Sequence, residues 1–313
     1  MPEEWRRQFG LPLEAMSYRA LVVSNARAGQ HRQELVDRVA ARLRDAGWEL
    51  TLAATTSPEE AKAEVGRHAR SGGNAVIAIG GDGTVHSVLQ GLDLERQTLG
   101  IIPLGSGNDV YRNTHQASDP ESTLAPLLAD RTQMWDLGEV GGIRFLNSAG
   151  VGLDAHTLET RESTSGWIRR NYSALFLLTL SRFRPFAVRL TIDGVVHERR
   201  GWWFIVANSP WIGGGMFITP GGTVTDGRFD ILTVGGIGKL NLVQLLPKVF
   251  RGSHVGTRGV EILYGHEILL ETPDGPERVA VDGELAMETP VTFRMRAGLL
   301  RVFAEAPTRA PLG

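Results

Sequence analysis

Gly80-Gly81-Asp82-Gly83-Thr84 closes an apolar run, Asn74–Ile79, and stands just ahead of a helical pattern. A glycine-rich turn between strand and helix presents backbone N–H groups beside the positive end of the helix, which suits nucleotide phosphates. Glycine fits there because a Cβ would hold phosphate oxygens away from the backbone. An aspartate inside such a cradle is costly unless it meets a cation, so Asp82 suits Mg2+, directly or through water, better than a phosphate. A tight strand-to-helix turn capped by Asp82 is the purely structural alternative. Two further glycine-bearing loops follow apolar runs, Asn25–Gly29 and Leu104-Gly105-Ser106-Gly107-Asn108-Asp109. In a parallel sheet all three would meet at one edge. No GxxxxGK[ST] occurs, which excludes a P-loop enzyme, and no GxGxxG follows the first apolar run, which counts against a dinucleotide dehydrogenase.

These loops need elements to hold them. Tyr18–Ser24 predicts a strand; Arg32–Asp45 places Leu35, Val39 and Leu43 at helical spacing and stops at Gly47. Trp48–Ala54 predicts a second strand. Ser57, Pro58 and Glu60 form a capping box that opens a helix into Ala61–Ala69. Asn74–Ile79 as a strand, Val85–Leu92 as a helix and Leu99–Pro103 as a strand continue the alternation. Continuous apolar strands between amphipathic helices imply a doubly wound parallel sheet with its ligand site at the carboxyl ends. Beyond about Asp136 the period changes. Val188, Leu190 and Ile192 alternate with polar residues, Asp193-Gly194 is a hairpin signal, and Trp202–Ala207 follows as the partner strand. Val291, Phe293 and Met295 alternate likewise. This half is expected to be antiparallel β, a sandwich interrupted by helices at Trp167–Phe183 and Lys239–Phe250.

Bulk properties narrow the function. The 313 residues suffice for one large domain or two ordinary ones, and 42% hydrophobic with 22% charged residues is a globular composition. A net charge of -2 offers nucleic acid no general attraction, so none is expected as a partner. The absence of cysteine excludes disulfides, thiolate zinc sites and a cysteine nucleophile, and fits a reducing compartment. The first seventeen residues lack a signal-peptide core, and Ala174–Leu180 is far too short to span a bilayer. A cytoplasmic protein without a transmembrane segment is expected, any membrane contact being peripheral at the inner face. The eight histidines show no HxxxH or HExxH spacing, so His86 reads as packed or solvated.

GGDGT, then PLGSGNDVYRN, then NSPWIGGGMFITPGGTVTDGRFDIL, then VDGE: in this order the chain resembles the diacylglycerol kinase catalytic-domain family, which includes the sphingosine and ceramide kinases. The resemblance runs from about Tyr18 to the end. GGDGT is shared with NAD kinases, whereas the GND segment and the DGE are more specific to lipid kinases. The resemblance implies an α/β plus β architecture: a doubly wound, NAD-kinase-like nucleotide-binding domain and a C-terminal antiparallel β-sandwich for lipid and metal, with the active site between them. The domains are expected at 18–137 and 138–299, after an extension at 1–17, with a segment of about 300–313 that could return to the first. It also implies ATP and Mg2+ as cofactors and transfer of the γ-phosphoryl group to a lipid hydroxyl, such as that of diacylglycerol, at the membrane surface.

Carried over by position, Asn25 and its loop to Gly29, Thr55, Ser106, and Gly80, Gly81, Asp82, Gly83 and Thr84 would line the nucleotide. Asp82 and Asp109 would hold Mg2+ at the phosphates, and Glu284 matches the family's proposed catalytic base. Thr223, Asp226 and Arg228 match a structural Mg2+ site, Asp226 giving its side chain and the other two their carbonyls. The chain departs from the family at Ala26 and Ala28, which replace Pro and Ser and remove a hydroxyl, and at Tyr111, where smaller residues are common. Plainer readings stand beside these. Glu284 could be a solvated residue at an Asp-Gly turn, Asp109 a helix cap, and Asp226-Gly227 a turn. Gly213-Gly214-Gly215, beside Trp211 and Met216, could be a wall of a lipid pocket or a wide loop. Trp167–Phe183, flanked by Arg169, Arg170, Arg182 and Arg184, could rest on an anionic membrane or be buried. An NAD-kinase-like enzyme of a soluble substrate and a catalytically silent lipid- or nucleotide-binding protein are the competing functions, and a homodimer is one possible assembly.

Overall fold

The computed structural model describes residues 18–26, 30–166 and 172–305. The chain divides into two units, Met1–Trp135 with Leu299–Gly313, and Asp136–Gly298.

In the first unit β1 (Arg19–Asn25), β2 (Glu49–Thr55), β3 (Ala75–Gly80) and β4 (Thr98–Pro103) pair in parallel in the order β2-β1-β3-β4. β3 and β4 are buried at every residue, as continuous Val/Ile runs must be when both faces of a sheet are covered. Among the described residues its helices are α1 (Gln30–Asp45), α2 (Pro58–Arg70), α3 (Asp82–Leu89), α4 (Asp109–Arg112) and α5 (Pro120–Leu128). Val39 and Leu43 of α1 pack with Ile77, Ile79 and Ile102 of the sheet. Tyr18 stacks on Trp48 at 4.3 Å between centroids, and Phe303 packs against both rings. At α2 the Ser57 hydroxyl accepts the Glu60 N–H at 3.2 Å, while the Glu60 carboxylate reaches the N–H of Thr56 at 2.7 Å.

α3 starts at Asp82, earlier than the apolar pattern from Val85 predicts. Gly81 is its N-cap and accepts the N–H groups of Thr84 and Val85 at 2.9 and 3.2 Å, so helical bonding begins directly after the glycines.

The second unit is antiparallel. After β5 (Thr132–Val140), which crosses the unit boundary, come β6 (Ile143–Phe145), β7 (Ser148–Gly152), β8 (Phe186–Ile192) and β9 (Val195–Ala207). Then follow β10 (Trp211–Ile212), β11 (Met216–Phe217), β12 (Phe229–Gly235), β13 (Val260–Gly265), β14 (Glu267–Glu271), β15 (Arg278–Val281), β16 (Glu284–Glu288) and β17 (Val291–Phe303). They run β16-β15-β7-β9-β8-β14-β17, with β12 and β13 joined through β9. The core stacks Phe145 on Phe229 at 5.7 Å and sets Phe293 edge-on to Phe145. Among the described residues its helices include α6 (Leu153–Ser163), α7 (Tyr172–Arg182) and α8 (Lys239–Phe250). Of the stretch expected at Trp167–Phe183, residues 167–171 lie outside the described residues and α7 is the remainder. α8 spans the expected residues. α6 was not expected, since Leu153, Ala155 and Leu158 make no helical stripe. The partner of β8 begins at Val195 rather than Trp202, because Asp193 and Gly194 take φ of 46° and 86° and pairing resumes at Ile192↔Val195. Among the described residues no helix is long and apolar enough to cross a membrane.

Candidate functional site

In the first unit β1, β3 and β4 are parallel neighbours, so the segments that leave them start from one edge of the sheet. The order β2-β1-β3-β4 reverses its winding between β1 and β3, the place where such sheets open a crevice for ligands. Asn25 ends β1 and Gly80 ends β3. The loops after β3 and β4 touch backbone to backbone. A Cβ on Gly105 would lie 2.6 Å from Gly81 Cα, and one on Gly80 would lie 2.3 Å from the Thr84 hydroxyl. Glycine at 80, 81 and 105 is therefore already favoured by close approach within the protein. Gly83 differs, for nothing lies within 4 Å of its Cβ position and it is exposed. The Thr84 N–H is occupied by Gly81 O, which leaves the N–H groups of Asp82 and Gly83 at the open start of α3.

Asn108 holds the second loop in a left-handed conformation, φ 52°, and its side chain both accepts from Gly105 N–H and donates to Gly105 O, each at 2.9 Å. Asp82 joins the two loops: its Oδ1 accepts the Val110 N–H at 3.0 Å. Asn108, not Asp109, occupies the N-cap position of α4; Asp109 is 3% exposed, with Oδ1 3.4 Å from Arg112 Nε. Ser106 is exposed, as is Asn25, while Thr55 is buried with its hydroxyl 3.4 Å from Ser24 O. Gly29 and Ala28 lie outside the described residues. Tyr111 is buried and donates to Ala117 O at 2.9 Å; burial pushes its hydroxyl up to about 12, so it is a neutral anchor for the loop after α4.

In the second unit Asp282 and Gly283 join β15 to β16 with φ of 47° and 87°, a two-residue hairpin turn. Glu284 follows as the exposed first residue of β16, opposite Val281. The Asp282 carboxylate accepts three consecutive N–H groups, of Leu146, Asn147 and Ser148, at 3.0, 2.9 and 3.1 Å. The buried Asn208 amide donates to the carbonyls of Leu146 and Asp136 at 2.9 and 3.1 Å. Residues 146–148 are thus gripped by Asp282 and Asn208. Neither grip was foreseen, because the partners are distant in sequence and carry no local signal.

Asp226 is exposed, with Oδ2 3.3 Å from Arg228 Nε, and the Arg228 guanidinium lies over the Tyr264 ring at 4.2 Å. The Thr223 hydroxyl meets that of Thr225 at 3.1 Å. Two carboxylates absent from the sequence expectation stand nearby. Asp136 accepts the N–H groups of Gly227 and Gly298 at 2.7 Å each, and burial, joined by the Asp226 charge, raises its carboxyl. Asp230 is 6% exposed, and its Oδ1 has no hydrogen-bond partner. Burial first, then the charge of Asp226, push Asp230 up to about 6, against the pull of Arg228. An orphaned buried carboxylate oxygen among like charges fits a hard cation. Among the described residues no three acidic or histidine side chains form a ready ligand set, so backbone carbonyls would have to complete this one. Gly213, Gly214 and Gly215, with φ of 59°, 84° and 107°, form the tip of the β10–β11 hairpin, where Trp211 stacks on Phe217 at 4.2 Å.

A parallel α/β unit with an anion-suited turn at its carboxyl edge, together with an antiparallel β unit, defines an α/β plus β protein of the NAD-kinase-like class. Residues 19–140 match the diacylglycerol kinase catalytic domain, and residues 147–304 match the YegS C-terminal NAD kinase beta sandwich-like domain. A diacylglycerol kinase of Mycobacterium tuberculosis (strain CDC 1551 / Oshkosh) is 31% identical over 247 residues, 74% of this chain and 77% of that protein. A diacylglycerol kinase of Staphylococcus aureus (strain MRSA252) is 26% identical over 92% of this chain and 93% of its own length. The chain belongs to the diacylglycerol kinase family. In fold it is similar to the crystal structure of a diacylglycerol kinase from Bacillus anthracis str. Sterne, with a TM-score of 0.74, 23% identity, and coverage of 95% of this chain and 100% of that one.

Proposed function

We propose that this protein is an ATP-dependent lipid kinase that transfers the γ-phosphoryl group to a lipid hydroxyl, that of diacylglycerol being the type case, from the cytoplasmic face of a membrane. One observation carries the reading. The turn Gly80–Thr84 opens α3 at the carboxyl edge of a parallel sheet, with space above Gly83 and with Asp82 pinned to Val110. The N–H groups of Asp82 and Gly83 then face a phosphate, and Asn25, the loop to Gly29, Thr55 and Ser106 contribute the rest of the nucleotide contacts. Bound ATP and Mg2+ would supply the transferable phosphoryl group and its charge neutralisation. Asp82 presents its remaining carboxylate oxygen to the metal. Asp109, buried beside Arg112, is the less open of the two carboxylates. Glu284, exposed and held by a rigid turn, accepts the proton of the lipid hydroxyl. Asp226, with the carbonyls of Thr223 and Arg228, holds a structural Mg2+ beside Asp230.

The test is radiolabelled ATP offered to a panel of lipids in mixed micelles, alongside NAD, with wild type and Glu284→Ala. Label on diacylglycerol or a related lipid, and its loss in the variant, are expected. Label on NAD instead of lipid would overturn the proposal, and equal lipid labelling by the variant would remove Glu284 from its role.

A further inference from the structure

α8 in the second unit has two kinds of outward surface. Leu242, Leu245 and Val249 are buried in the core. On the outward side Leu240, Pro247 and Phe250 fall at i, i+7 and i+10, one face of a helix, flanked by the half-buried Val243, which packs against the core. Leu240 is 72% exposed and Phe250 51%. Asn241, Gln244, Lys248 and Arg251 form a polar, cationic stripe beside them. Gly252, φ 69°, ends the helix, and Val255 stands 46% exposed in the turn that follows. That turn is anchored from below by the buried His254, whose ring meets Ile218 O at 2.8 Å.

The charge is one-sided. From Gly236 to Arg258 the chain carries Lys239, Lys248, Arg251 and Arg258 and no acidic residue, and the next, Glu261, is already paired with Arg199 at 2.9 Å. Lys248 and Arg258 also line a cavity of about 360 Å3 with Gly236, Asn241 and Gln244, again without a carboxylate. Exposed large apolar side chains cost solubility unless something covers them. An apolar edge beside a cationic flank is the pattern of a helix lying in a lipid interface, its cations on lipid phosphates.

We propose that α8 and the turn to Arg258 form the surface through which this protein docks on an anionic bilayer: Leu240, Phe250 and Val255 enter the acyl boundary, and Lys248, Arg251 and Arg258 meet phospholipid headgroups. This deepens the lipid-kinase reading and rests on it for its purpose, but the docking is measured without catalysis. The full chain is sedimented with vesicles of phosphatidylcholine, with or without phosphatidylglycerol, and assayed separately on a water-soluble short-chain diacylglycerol. Binding only to phosphatidylglycerol vesicles, weakened by salt, is expected. Leu240→Asn with Phe250→Ser, and Lys248→Glu with Arg258→Glu, should each lower partitioning at least about tenfold. Both should leave labelling of the soluble lipid unchanged, and Arg189→Glu on β8 should bind like wild type. Wild-type-like binding by both double variants, or no binding by wild type, overturns the docking surface. So does a loss of self-association in the variants with vesicle binding intact, which would assign the face to a second copy. Failure to label soluble diacylglycerol counts against the kinase reading instead and leaves the docking result to stand alone.

Discussion

The Asp282 carboxylate and the Asn147 N–H, 135 positions apart, meet at 2.9 Å, and the same carboxylate takes the N–H groups on either side of Asn147. Three charge-assisted bonds from one side chain fix the turn that presents Glu284. Asp282→Asn keeps the shape but puts an NH2 group where only acceptors fit. It should cost about 1–3 kcal/mol, because at least one buried N–H loses its partner. Glu284→Gln, on an exposed residue with no such duty, should leave the melting temperature unchanged and lower kcat roughly 10²–10⁴-fold, the range for a lost general base. Thermal melts and initial rates on both variants separate anchor from base. Equal melting loss in the two would dissolve the distinction.

The glycines of the first unit divide by what surrounds them. Gly105→Ala would set a Cβ 2.6 Å from Gly81 Cα, a backbone clash that should destabilise by about 1–3 kcal/mol. Gly83→Ala meets nothing within 4 Å and lies in the first turn of α3, so its stability should stay equal or rise by up to about 1 kcal/mol. If phosphate oxygens approach the Gly83 backbone, that same methyl weakens ATP. Calorimetric titration should show a folded Gly83→Ala protein with a raised ATP Kd, and unchanged ATP affinity would remove Gly83 from the cradle.

The parallel sheet was legible because β1, β3 and β4 carry short apolar runs, the last two closed by Gly80 and Pro103, and α1 and α2 because Leu35, Val39 and Leu43 or a Ser57 cap mark them. β9 was half hidden, since Val195–Arg200 reads as polar and only the turn chemistry of Asp193-Gly194 betrays where pairing restarts. The reason for a glycine was not legible. Gly81 and Gly83 are alike in sequence, yet one is required by a neighbouring loop and the other faces open space. The gathering of Asp136 and Asp230 around Asp226 was equally hidden, because it depends on where β5 and β12 run and not on any spacing.

That gathering predicts a metal response with a definite pH dependence. Asp230 is pushed up to about 6 with one oxygen orphaned, so below that pH a proton relieves it and above it a cation can. Without nucleotide, Mg2+ should raise the melting temperature at pH 7.5 and do so less at pH 5. At a hundredfold excess over Kd the gain is about 2.7 kcal/mol. Asp226→Asn should abolish most of the gain. A Mg2+ shift of the same size in that variant would place the metal elsewhere.

Asp154, at the start of α6, gives the opposite lesson, a carboxylate whose burial outweighs the groups that favour its charge. Its Oδ1 is buried, and burial pushes the carboxyl from 3.8 up to about 6, against the pull of the Ala155 and Asp154 N–H groups, the Trp203 indole and the His156 charge. The folded protein then holds the proton more tightly than the unfolded chain does. The stability this provides is complete below about pH 4, falls as pH rises toward 6, and is absent above it. Asp154→Asn is neutral at every pH and keeps nearly the same volume. It should match wild type at pH 4 and exceed it at pH 8, by at most about 3 kcal/mol for a shift of this size. Melting curves of the two proteins at both pH values decide it. A variant less stable than wild type at pH 8 would mean that the ionised carboxylate is held by the fold, and the buried-acid account would have to be abandoned.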